Sequence, residues 1–110
     1  MPSALPIPAD LLDLRRARDA AWAELNAYVA ETEALRREQY PDPEQSGVRG
    51  MWEPKQRERL AELRAARDVA VLAVRHHPTM VRALAEGCWA ATDTALFHAT
   101  EPTPEAADAS

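Results

Sequence analysis

One stretch of this chain limits its folding more than any other. From about Ala9 or Asp10 to Gln39 there is neither a proline nor a glycine, and Leu11, Leu14, Arg18, Ala21, Leu25, Tyr28, Thr32, Leu35 and Gln39 recur at alternating steps of three and four. That is the heptad period of a packed helical seam. A helix of about 30 residues is about 45 Å long, more than a small globule needs, so the run predicts an elongated, coiled-coil-like pairing.

The rest of the chain supplies the partners. Residues 40–53, YPDPEQSGVRGMWE, hold two prolines and two glycines without apolar periodicity and predict a loop. Pro54 suits the first turn of a second helix over 54–76, because the N–H it lacks has no intrahelical partner there. Pro78 disfavours helical geometry at His77, which predicts a turn with Thr79 as N-cap and a third helix over 79–100. That helix carries Met80, Val81, Leu84, Cys88, Ala91 and Ala95 as one apolar stripe. Prolines at 2, 6 and 8 make residues 1–8 an extended, loosely held segment, and residues 101–110 contain nothing that would form a core, so they read as a disordered acidic tail.

The expected fold is therefore all-α, a three-helix antiparallel bundle or extended helical hairpin with a coiled-coil-like seam, as one domain over residues 9–100. Composition agrees: about one residue in five is alanine, Ile7 is the only isoleucine, and aromatics make up 5%. A chain of 110 residues buries about two-thirds of its unfolded surface, enough for one core.

The apolar surface exceeds what three helices can cover. Val69-Ala70-Val71-Leu72-Ala73-Val74 is apolar around the whole helix circumference and must be surrounded. Trp89 and Phe97, eight residues apart, project away from the stripe of the third helix. Val69, Val71, Leu72, Val74, Trp89 and Phe97 are thus the expected interface of a homo-oligomer, most simply a dimer, or of a complex with another helical protein. The expected function is a non-catalytic protein–protein interaction module.

Other functions find less in the sequence. A lone Cys88 gives no disulfide framework and no Cys-x-x-Cys zinc module, and points to a reducing, cytoplasmic setting. No apolar run reaches the ~18 to 20 residues of a membrane span. On one continuous third helix, His98 would stand roughly 28 Å from the His76-His77 turn and Cys88 about 13 Å from it, so no metal site is expected. Neither a phosphate-binding glycine loop nor a Ser-His-acid pattern appears, and no cofactor or catalytic residue is assigned.

Charge is segmented: residues 1–44 carry −4, residues 45–82 carry +4 and residues 83–110 carry −5. Opposite charges on neighbouring segments favour packing them together. Nucleic-acid binding through Arg57, Arg64 and Arg75 of the second helix is an alternative that the net charge of −5 and the missing helix-turn-helix pattern disfavour.

A second alternative rests on an internal echo. LLDLRRARDAA at 11–21 aligns without gaps with LAELRAARDVA at 60–70, and each copy sets an arginine, Arg18 or Arg67, in an apolar stripe. Such a pair would grip an anionic small molecule. In layout alone, a long first helix with a Leu-Arg motif and two shorter helices resembles the all-helical chorismate mutases, which implies a dimeric bundle holding a dicarboxylate between arginines. Arg36 or Arg37 would meet the basic position near the end of the first helix; the arginine in its middle is absent.

Overall fold

The computed structural model describes residues 3–101 and is all-α: among the described residues there is no strand. Helix α1 spans Ala9–Gln39, a 3-10 turn spans Pro43–Gln45, and α2 spans Ser46–Gly50. Helices α3, α4 and α5 follow at Pro54–Arg75, Pro78–Ala85 and Trp89–Thr100. The expected acidic tail lies outside the described residues, apart from Glu101. The chain divides into two compact units, with both boundaries inside helices. The first runs to Arg18 and resumes at Ala70; the second is Asp19–Val69.

The first unit is built on Leu11, Val74, Met80 and Leu96, with Ile7, Leu12 and Leu14 packed against them. Arg15, Ala83, Cys88 and Thr92 complete the buried set. Residues 3–8 have no regular secondary structure, but they are not loose: the Leu5 N–H donates to Thr92 Oγ1 at 3.1 Å, and the Thr92 hydroxyl points on to Cys88 Sγ at 3.8 Å. A threonine inside an apolar core is tolerated because both its donor and its acceptor are used.

In place of one helix over 79–100 there are two, and Gly87 is the reason. Its φ of +73° lies in the left-handed region, where a side chain is strained. The Cys88 N–H donates to the Ala83 carbonyl at 2.9 Å and the Gly87 N–H to the Leu84 carbonyl at 3.3 Å. These two bonds form a Schellman motif, closed by Cys88 and Ala83, which are both buried. The register resets there, so the buried set is Met80 and Ala83 before the break and Cys88, Thr92 and Leu96 after it. The expected stripe through Val81 and Leu84 does not form a core. The N-cap of α4 is His77 rather than Thr79: the Thr79 N–H donates to His77 Nδ1 at 3.1 Å.

The second unit has a thin core. Leu25 and Leu63 are its buried apolar residues, joined by Thr32 and by Arg36, which is only 4% exposed. Along α1 the seam positions 11, 25 and 32 are buried and 14, 18, 21 and 28 half-buried, but Leu35 and Gln39 are exposed, while Arg15 and Arg36, which lie off the expected seam, are buried. Arg36 earns its place by hydrogen bonding. Its Nη2 donates to the carbonyls of Val48 and Met51, both at 2.9 Å, and Nη1 donates to Gln39 Oε1 at 3.2 Å. The guanidinium also lies 4.8 Å from the Tyr40 ring centre.

The region expected as a loop over 40–53 is consequently ordered. Asp42 and Gln45 form a reciprocal capping box around Pro43, and Arg49 donates to the Asp42 carbonyl at 3.0 Å. Gln56 Oε1 accepts from the Glu53 N–H at 2.9 Å, where α3 begins.

Candidate functional site

Three of the apolar residues left uncovered in the first unit, Val81, Leu84 and Trp89, line one groove. Its volume is about 470 Å³ and its lining is Arg75, His76, Met80, Val81, Leu84 and Trp89. α4 is amphipathic with two apolar sides: Met80 and Ala83 point into the core, while Val81 and Leu84 stand on the outside, 53% and 71% exposed. Trp89 opens α5 immediately after the Gly87 turn, so its indole sits beside the end of α4. Leu72, one turn before His76 on α3, is also exposed.

The residues expected at an interface are not treated alike. Val69, the last residue of the second unit, is 70% exposed, Val71 is half-buried, and Leu72, Trp89 and Phe97 are exposed. Val74 is the correction. It is a core residue at 4% exposure, packed with Leu11, Met80 and Leu96, and has no surface to offer a partner. Phe97 keeps one side occupied, with the Arg15 guanidinium 6.0 Å from its ring centre and Arg15 paired to Asp93 at 3.2 Å. Val81 and Leu84 were missed because the sequence reads as one continuous helix when Gly87 is passed over. The signal was present: a glycine after Leu-Ala-Glu and before an apolar residue is a helix stop.

Arg18 and Arg67 fall in different units. Arg67 lies 4.6 Å over the Trp22 ring, and its Nε and Nη2 reach Asp68 Oδ1 at 2.9 and 2.8 Å. Its fork is already on a carboxylate. Arg18 is half-buried. Arg36, the position that the mutase-like layout would assign to substrate, is spent on backbone carbonyls. The echoed segments also diverge in environment: Leu11 and Arg15 are buried where Leu60 and Arg64 are not.

Among the described residues there is no group of three or more His, Cys, Asp and Glu side chains arranged to hold a metal ion. His77 is instead structural. Its Nδ1 accepts from the α4 backbone, so Nε2 carries the hydrogen and donates to Asp10 Oδ2 at 2.9 Å. That hydrogen bond from His77 holds the Asp10 carboxyl below the ordinary carboxylate range. Among the described residues no helix is long and apolar enough to cross a membrane.

Comparison with known proteins finds no matching family model, no similar curated protein and no similar solved structure.

Proposed function

We propose that this chain is a non-catalytic helical interaction module that pairs with a second copy of itself through the groove face of its first unit. The observation that carries the reading is Leu84: a leucine 71% exposed, sharing a groove with Val81 and Trp89, on a chain of this size. Scattered surface leucines are ordinary, but three exposed large apolar residues around one concavity form a patch that a soluble monomer seldom leaves open. Such a patch is self-complementary when two copies meet about a twofold axis, the leucine of each filling the groove of the other. Arg75 and His76 give it the polar rim of a protein interface.

Leu84→Asp tests it. Multi-angle light scattering is expected to give twice the chain mass for the unaltered protein at high concentration and one chain mass for the variant. An unpaired carboxylate held in that groove costs several kcal/mol, on the order of a hundredfold or more in association. A native chain that stays monomeric at millimolar concentration rules the pairing out.

A further inference from the structure

A second groove, wholly within the second unit and separate from the pairing face, has the chemistry of a ligand site. Arg57, Leu60 and Arg64 fall at i, i+3 and i+7 on α3 and share one side of that helix. Val29 and Glu33, one turn apart on α1, line the same space, and Met51 and Trp52 close it. The volume is about 600 Å³, within the roughly 300–1,000 Å³ of small-molecule pockets. Trp52 is fixed in place by an edge-to-face contact with Tyr28, with ring centres 6.2 Å apart and planes at 78°. Met51, 73% exposed at the lip, is a flexible side chain that adapts to what enters.

The arginines give the groove its sign. Arg36, Arg49, Arg59 and Arg67 of this unit all hold a carbonyl or carboxylate. The side chains of Arg57 and Arg64 make no hydrogen bond or ion pair with any described residue, nor does that of Glu33 across the groove. Two unengaged guanidiniums about 10.5 Å apart along α3, over a floor of valine, leucine and tryptophan, outweigh the single carboxylate. Charge and apolarity together select one kind of occupant. We infer that this groove binds a small amphiphilic carboxylate, its anionic head between Arg57 and Arg64 and its hydrocarbon body against Leu60, Val29 and Trp52.

Octanoate is the probe, titrated into the full chain labelled with ¹⁵N and read at the indole N–H of Trp52, identified by its loss in Trp52→Phe. A saturable shift of that resonance is expected. Octan-1-ol, which keeps the body and lacks the charge, is expected to bind at least tenfold more weakly, and acetate, which lacks the body, to give no saturation. Arg57→Gln with Arg64→Gln is expected to weaken octanoate at least tenfold, while the corresponding pair of lysines retains most of the affinity. Both arginines are exposed, so circular dichroism should show unchanged helicity. Equal binding of octanol and octanoate, undiminished binding by the glutamine pair, or a saturable shift confined to Trp89 overturns the assignment, as does no shift at all.

Discussion

A single imidazole does two jobs at the start of α4. His77 accepts from the Thr79 N–H through Nδ1 and donates to Asp10 through Nε2, so one neutral tautomer satisfies the helix end and a carboxylate together. The consequence for stability has a definite sign. Asp10 has a lower pKa folded than its ordinary value of 3.8, so it contributes stability that is complete above that value and is lost as pH falls through the folded pKa. In urea titrations, Asp10→Asn is expected to lower the unfolding midpoint at pH 7. The gap to the native chain should narrow as pH falls below 3.8 and through the lower folded pKa, as the native carboxyl itself becomes protonated. The pair was not legible in the sequence, because residues 10 and 77 are sixty-seven apart and nothing local marks either as the other's partner.

Elements were legible where their cause was local and periodic. α1 and α3 follow from uninterrupted apolar spacing and from Pro54, and they begin where expected. The misplacements trace to backbone signals outweighed by periodicity. Gly87 ends α4 through its left-handed conformation, and the expected stripe over 80–95 runs straight through it. Gly87→Ala is expected to destabilise the fold by about 1 kcal/mol, seen as a lowered chemical-denaturation midpoint with an unchanged slope. A methyl group there meets no atom within 4 Å, so the loss reports backbone conformation alone. On α1 the difficulty was of another kind. Leu35 reads as core and Arg36 as surface, yet the positions are exchanged, because carbonyls at the end of α2 need donors that a leucine does not have.

At the scale of the molecule, excess apolar helix surface was readable in advance, and its address was not. Val69–Val74 does hold exposed positions, but Val74 closes the core, and the groove lined by exposed apolar residues belongs to Val81, Leu84 and Trp89. The second unit, with Leu25 and Leu63 as its buried apolar residues, relies on polar ties more than on greasy ones. Arg36→Met is expected to destabilise it by about 2–3 kcal/mol, since two carbonyls lose charge-assisted donors that a thioether cannot replace. Limited proteolysis reads this out: the native chain should resist cleavage across 40–53, and the variant should be cut there first. A fourteen-residue crossing between two helices thus has one buried latch beside its surface ties, and when that latch releases, the stretch it holds, Val48 to Met51, should open first rather than fray in from the ends.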